Sequence, residues 1–349
     1  MNLEVNGHNI FVILLVTFFA SLILVPLARK IAFHVNAVDN PNKRRVNKKP
    51  MPTQGGLAIF ATFMLGFMLY ADMNYQMLAI LMGGFVLILT GLIDGINSIP
   101  AKVKIVAQIV AAAIVVIYGG IYLSKVSFLG LRFVVPFPLN YIISIIFIVG
   151  IINAINLIDG LDGLCGGISS IYFGTIAIIA FILNKLGGLD VILSLIMLGA
   201  TLGFLFHNFP PASIYLGDTG SMFLGYMIAV ISLLGFKVTT LTSLVIPLLI
   251  LFIPIIDTLL AIFRRLLKGE SIGSPDKEHL HHQLLKMKLS TRKTLLIIYI
   301  INVLFAVVSI LYVIGDKQYA IFIYVILMIM LLFVVLKTDI LFKHKKEKE

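Results

Sequence analysis

Charge and cysteine are both scarce in this sequence, and each scarcity excludes a class of protein. Only 12% of the 349 residues are charged and 60% are hydrophobic, with a mean hydropathy of +1.08. Because about a quarter of the residues of a soluble domain are charged, this composition predicts an integral membrane protein. The single cysteine, Cys165, excludes an intramolecular disulfide and is interpreted as a packing residue rather than a nucleophile.

Long apolar runs follow one another along the whole chain. A helix that crosses a bilayer needs about 20 mostly apolar residues, and its backbone groups must be satisfied internally. The runs are too long for barrel strands and do not alternate, so the sequence predicts an all-α polytopic membrane protein with about eleven transmembrane helices. They are centred near 9–28, 55–71, 77–93, 103–123, 139–157, 164–183, 190–206, 221–236, 241–262, 295–315 and 319–336.

The basic residues predict the orientation of these spans. If the spans alternate, 22 of the 27 Lys and Arg residues fall on one side, which the positive-inside rule makes the cytoplasm. The N-terminus is then outside, and a basic tail, 337–349, is cytoplasmic. The first run lacks a basic n-region, so we expect an anchor rather than a cleaved signal peptide. No linker interrupts the chain, and we expect residues 1–349 to form one polytopic domain.

Acidic residues gather at the predicted cytoplasmic ends of the spans. The loops 156–163 and 207–220 carry aspartates but no Lys or Arg. Clustered carboxylates without local cations suggest a divalent metal, and oxygen ligands favour Mg²⁺ or Mn²⁺. The inner acids are Asp94, Asp159, Asp162, Asp218 and Asp257. Three others, Asp72, Asp190 and Asp316, are expected to be solvated in short outer loops.

Two further segments suggest phosphate contacts. Gly217 and Gly220 flank Asp218 at the start of a span, which fits an anion bridged by a metal but also fits a plain helix N-cap. In KKPMPTQGG, residues 48–56, Lys49 and Thr53 are candidate anion contacts.

The segment 276–284, DKEHLHHQL, places His279 and His282 on one face of a predicted amphipathic helix over 274–289. Zinc is disfavoured, because the segment has no cysteine and no HExxH motif. Near Arg264 and Arg265, the histidines suit phosphate contact better. In addition, residues 124–138 predict a small outer hairpin around Gly130.

The motif order resembles a known family. KPMPTQGG, GLIDG, NLIDGLDGL, LGDTGS and HLHH follow one another from about residue 36 to residue 290. This order is similar to that of the polyprenyl-phosphate N-acetylhexosamine-1-phosphate transferases, in the branch that uses UDP-GlcNAc and undecaprenyl phosphate. The resemblance implies a multi-pass enzyme of the bacterial cytoplasmic membrane, with Mg²⁺ as cofactor and its site on the cytoplasmic face. Its products would be UMP and GlcNAc-diphospho-undecaprenol, the start of teichoic acid, O-antigen or another envelope glycan.

The resemblance also implies roles for individual residues. Asp218 matches the principal metal ligand, with Asn156 beside it, and Asp94, Asp159 and Asp162 match catalytic acids. Substrate contacts are implied for Lys49, Thr53, Lys102, Lys104, Asn156, Arg265, His279, His281 and His282. One position departs from the pattern: Gly95 stands where the family has a second acid after Asp94.

Several alternatives stay open at this level. A muramoyl-pentapeptide phosphotransferase-like enzyme is the nearest, although that branch has ten spans and a different histidine segment. An ion-coupled transporter would need acids near mid-span, and Gly95 leaves room for a catalytically weak scaffold. The expected partners are the two substrates and membrane lipid, with no nucleic acid, and a homodimer is compatible with the sequence.

Overall fold

The computed structural model describes residues 3–39, 50–128, 131–183, 186–237, 247, 250–267, 269 and 279–337. The chain divides into two compact units, Met1–Leu244 and Val245–Glu349. The predicted single domain spans both units. Lys49 and residues 338–349 of the predicted basic tail lie outside the described residues.

Helices dominate the first unit because its apolar runs have no other way to satisfy their backbone groups. Its helices are α1 (Ile10–His34), α2 (Gly55–Tyr70), α3 (Tyr75–Ile96), α4 (Ala101–Ala113), α5 (Leu139–Leu157), α6 (Leu164–Ile182), α7 (Leu189–Asn208) and α8 (Gly217–Lys237). A π-helical turn, Ile114–Tyr118, extends α4. Short antiparallel pairs join β1 (Glu4–Val5) to β2 (His8–Asn9), β3 (Val38–Asp39) to β4 (Met51–Pro52), and β5 (Lys125–Phe128) to β6 (Leu131–Val134). The last pair confirms the predicted hairpin.

The core of the first unit surrounds α8. Every residue from Thr219 to Gly235 is buried, and α2, α3 and α5 all pack on this helix. Glycines permit the close approach: a Cβ on Gly56 would overlap the backbone of Gly220, and one on Gly91 would overlap that of Thr219. The starts of α2 and α8 and the last turns of α3 therefore meet, and this junction positions the site.

Membrane-spanning character is confirmed in coarse form. Eight described helices are long and apolar enough to cross a bilayer, and two shorter apolar helices, Gly55–Tyr70 and Lys317–Phe333, accompany them. The protein is thus a multi-pass membrane protein. The predicted ninth run, 241–262, falls partly outside the described residues, so the number eleven stays a prediction, as does the orientation.

One expectation about an outer acid is wrong. Asp190 was expected to be solvated, but it is fully buried in the first turn of α7. The positive end of the helix dipole offsets part of the cost of burying a carboxylate at this position.

The second unit contains four described helices: α9 (Phe252–Leu267), α10 (Leu280–Lys286), α11 (Thr291–Ile314) and α12 (Lys317–Lys337). Rings of Phe252, Phe305 and Tyr324 pack against one another within it. The predicted amphipathic helix over 274–289 is described only as α10. Its Leu280 and Leu284 are buried, as expected for the apolar face, whereas residues 274–278 lie outside the described part of the chain.

Candidate active site

An ammonium group bridging two carboxylates forms the centre of the site. Nζ of Lys104 lies 2.8 Å from Oδ2 of Asp94 and 2.6 Å from Oδ2 of Asp218. All three side chains are half-buried, which strengthens their attraction relative to that of a fully solvated pair. The sequence predicted each of these residues separately, and the structure adds that the lysine holds the two acids together.

Helix ends fix the two acids. Asp94 lies in the last turn of α3, and its Oδ1 accepts a hydrogen bond from the N–H of Ile99 at 2.9 Å. Asp218 is the second residue of α8, where the positive end of the helix dipole favours a carboxylate. Gly217 before it has a φ of +69°, and a Cβ there would overlap the carbonyl oxygen of Thr53. This turn therefore requires glycine.

Asn156 completes the arrangement from the end of α5. Its Nδ2 donates to Oδ1 of Asp218 at 3.2 Å and to Oγ of Ser221 at 2.7 Å. Asn153 lies one turn earlier and does something different: its Nδ2 donates to Oε1 of Gln108 on α4, at 2.7 Å. Of these two amides, one belongs to the site and the other joins two helices.

The loop after α5 carries the remaining two acids. Oδ2 of Asp162 accepts from the N–H of Ala212 at 3.2 Å, and burial raises the pKa of this carboxyl, against the lowering effect of that hydrogen bond. Burial, together with the negative charges of Asp218 and Asp162, raises the pKa of Asp159 to about 8. Asp159 therefore carries a proton at neutral pH unless a cation is added beside it.

Other predicted contacts of the first unit lie beside this centre. Lys102 is exposed on the first turn of α4. The hydroxyl of Thr53 donates to the carbonyl of Ala37 at 3.1 Å, so its proton is engaged by the backbone.

A separate histidine cluster forms in the second unit. Asp257 accepts from Nδ1 of His279 at 2.9 Å and from the N–H of Leu280 at 3.0 Å. The ring of His281 lies 4.2 Å from that of His282, centroid to centroid. Burial and the neighbouring histidines lower the pKa of His281 to about 3, so this ring is neutral at physiological pH. Arg265, in the last turn of α9, is also buried.

Sequence reasoning missed one pairing and one residue. Asp257 was recognised as an inner acid but was not paired with His279. Gln54 was overlooked, although it lies within PTQGG: its side chain is fully buried, and its Oε1 accepts from Oγ1 of Thr219 at 2.7 Å. Only the adjacent predicted residue Thr53 could have drawn attention to it.

The donor set at the centre fits a magnesium ion. Within the described residues, no three His, Cys, Asp or Glu side chains group closely enough to hold a metal by themselves. Mg²⁺ requires less, because it commonly binds one or two carboxylates and completes its shell with water and substrate phosphate. Asp94 and Asp218 already share one cation, the Lys104 ammonium, and Asn156 brings an amide group beside them.

Comparison with known proteins identifies the family. Residues 77–236 match the family model described as glycosyl transferase family 4. A Bacillus subtilis relative, named probable undecaprenyl-phosphate N-acetylglucosaminyl 1-phosphate transferase, is 42% identical over 308 residues, which cover 86% of this chain and 84% of the relative. The chain belongs to glycosyl transferase family 4.

Two more distant relatives of this glycosyl transferase are also similar over most of their length. The decaprenyl-phosphate N-acetylglucosaminephosphotransferase of Mycobacterium tuberculosis is 34% identical, over 78% of this chain and 74% of the relative. The undecaprenyl-phosphate alpha-N-acetylglucosaminyl 1-phosphate transferase of Salmonella typhimurium is 30% identical, over 80% and 78%. The family-matched segment contains the whole cluster around Lys104, whereas the histidines of the second unit lie beyond it.

Proposed function

We propose that this protein transfers GlcNAc-1-phosphate from UDP-GlcNAc to undecaprenyl phosphate, and that the product starts teichoic acid or another envelope glycan. The observation that carries the proposal is the Asp94–Lys104–Asp218 cluster, which places two carboxylates and a cation together at the ends of three helices. Family membership supports the class of reaction, and the names of the relatives support the sugar and the lipid.

The reaction consists of one phosphoryl transfer. An oxygen of the lipid phosphate bonds to the β-phosphorus of UDP-GlcNAc, the bond from that phosphorus to the bridging oxygen breaks, and UMP leaves with the electron pair. Both substrates are anionic, so the site must hold phosphate oxygens close together. Positioning and charge stabilisation account for most of the catalysis of such reactions.

The residues of the first unit divide this work. Asp218 and Asp94 would hold Mg²⁺, with Asn156 beside them, and the ion supplies charge neutralisation to phosphoryl oxygens when bound. Lys104 can exchange its carboxylate partners for substrate phosphate, because its side chain is only partly buried. Asp159 and Asp162 are the acids that would orient the nucleotide-sugar and accept or hold protons at the edge of the cluster.

The remaining roles complete the proposal. Lys49, Thr53 and Lys102 are proposed to stabilise phosphate, and Arg265, His279, His281 and His282 to bind the nucleotide-sugar. The site faces the cytoplasm, where nucleotide-sugars are made, and the N-terminus is outside.

Purified protein in detergent provides the test. With UDP-GlcNAc, undecaprenyl phosphate and Mg²⁺, we expect stoichiometric UMP and a GlcNAc-diphospho-lipid detected by mass spectrometry. Omitting the lipid should abolish UMP release, and chelating the metal with EDTA should do the same. Failure to form UMP from a correctly folded preparation would refute the proposed function. UMP that forms without lipid product would indicate a hydrolase instead.

A further inference from the structure

Gln54 lies between the two residues that directly follow the paired acids. On one side, Oγ1 of Thr219, the neighbour of Asp218, donates to Oε1 of Gln54 at 2.7 Å. On the other side, the carboxamide faces Gly95, the neighbour of Asp94, so closely that a Cβ at position 95 would overlap Nε2 and lie 3.2 Å from Cδ. One buried side chain thus touches the end of α3 and the start of α8.

The carboxamide has little freedom to move. Gln54 has no exposed surface, and its Nε2 has no hydrogen-bond partner within the described part of the chain. The bond from Thr219 orients the amide so that this nitrogen points toward Gly95. A side chain at position 95 would therefore have to displace Gln54 and break its bond to Thr219.

We propose that Gln54 is a positioning residue that sets the separation of Asp94 and Asp218. Glycine at position 95 makes this possible, because it leaves room for the carboxamide of Gln54. The carboxamide fills the space beside Asp94, and its hydrogen bond with Thr219 connects this end of α3 to the turn that carries Asp218. The two carboxylates then meet on one cation, Lys104. The missing acid after Asp94 is accordingly part of a matched pair of residues, rather than a sign of a silent scaffold.

A double-mutant cycle tests the contact between Gln54 and Gly95. It is read out by melting temperature and does not depend on activity. Gly95→Ala adds only the Cβ, so we expect the Tm of the metal-free protein in detergent to fall by about 3 °C or more. Gly150→Ala is the matched control, because Gly150 is also helical and a Cβ there would meet nothing within 4 Å. In a Gln54→Ala background, adding Gly95→Ala should cost almost nothing, since both changes act on one contact.

Magnesium dependence tests the positioning role, which rests on the proposed function. Removing a residue that orients metal ligands typically weakens metal binding or activity by about 10- to 100-fold. We expect Gln54→Ala, and also Gln54→Met, which keeps the length but loses the bond to Thr219, to raise the Mg²⁺ concentration for half-maximal transfer about tenfold. The KM for UDP-GlcNAc at saturating Mg²⁺ should change little.

The outcomes separate this inference from the proposed function. A wild-type protein that forms no UMP would refute the function, whereas the melting cycle would still report on the contact. If Gly95→Ala lowers the Tm as much in the Gln54→Ala background as in the wild type, the two residues are not a matched pair. Unchanged Mg²⁺ half-saturation in both Gln54 variants of an active enzyme would overturn the positioning role.

Discussion

Lys104 and Asp218 are 114 positions apart in the chain, yet Nζ and Oδ2 meet at 2.6 Å. Lys104 lies in the first turns of α4 and Asp218 at the start of α8, so the contact joins two helix N-termini on one face of the first unit. The positive ends of the dipoles of these two helices meet there. The carboxylates of Asp94 and Asp218 offset that positive potential. This face can therefore hold anions and cations side by side.

Removing the lysine should expose the repulsion between the two acids. In Lys104→Met we expect a loss of about 2 kcal/mol in stability, the scale of hydrogen bonds to charged groups, and a loss of transfer of about 100-fold or more. Added Mg²⁺ should recover part of the melting temperature, because a cation can again lie between Asp94 and Asp218. Lys102→Met, an exposed lysine two residues earlier, is the control for stability and should melt like the wild type. Equal melting temperatures for the two variants would show that the bridge contributes nothing.

Removing the charge of Asp218 should nearly abolish transfer. An amide is a much poorer Mg²⁺ ligand than a carboxylate, so in Asp218→Asn we expect turnover to fall about 1000-fold, on the scale of a lost electrostatic contact in catalysis. The measurement is UMP formation at limiting and at saturating Mg²⁺, with Asp72→Asn, an exposed acid in another loop, as the control. Wild-type turnover at limiting Mg²⁺ would exclude Asp218 as a metal ligand.

The raised pKa of Asp159 predicts a pH dependence of stability. The pKa of this carboxyl in the folded protein is about 8, compared with an ordinary value of 3.8. The folded state therefore binds the proton more tightly, and this contribution is fully present below pH 3.8 and is lost as pH rises through about 8. In EDTA, the melting temperature of the wild type should decline between about pH 5 and pH 8, and Asp159→Asn should flatten that decline. A parallel decline in the variant would assign the effect to another group.

The histidine cluster of the second unit should act on the nucleotide-sugar. We expect His282→Ala to raise the KM for UDP-GlcNAc about tenfold, because one charge-assisted hydrogen bond to the nucleotide-sugar is lost. The KM for undecaprenyl phosphate should stay within about twofold of the wild-type value. Met287→Ala, an exposed position directly after α10, is the control. A selective rise for the lipid would place this cluster beside the lipid phosphate instead.

Membrane orientation can be measured by cysteine labelling. Single cysteines are introduced by Asp72→Cys and by Lys102→Cys in a Cys165→Ala background. We expect the first cysteine outside the cell and the second in the cytoplasm. A membrane-impermeant maleimide applied to intact cells should modify position 72 only, and both positions should react after the cells are opened. The reverse pattern would invert the predicted topology.

Sequence alone was enough to establish the class of the protein and to predict candidate residues for its site. Composition and the length of the apolar runs already require a multi-pass helical protein, because both properties are local and additive along the chain. The acids Asp94, Asp159, Asp162 and Asp218 could be predicted as site residues, because ionisable groups at the ends of apolar spans are costly and are rarely placed there without a function.

The contacts that these residues make could be seen only in the tertiary structure. Nothing in the pattern separates Asn153, which joins α5 to α4, from Asn156, which donates to Asp218, because both lie on the same stretch of one helix. Likewise, the link from Gln54 to Thr219 depends on glycines that let α2 and α3 approach α8. Pairings of this kind depend on distances between helix ends that are far apart in the chain. Hydropathy and residue spacing cannot predict them, because they describe only the neighbours of each residue along one helix.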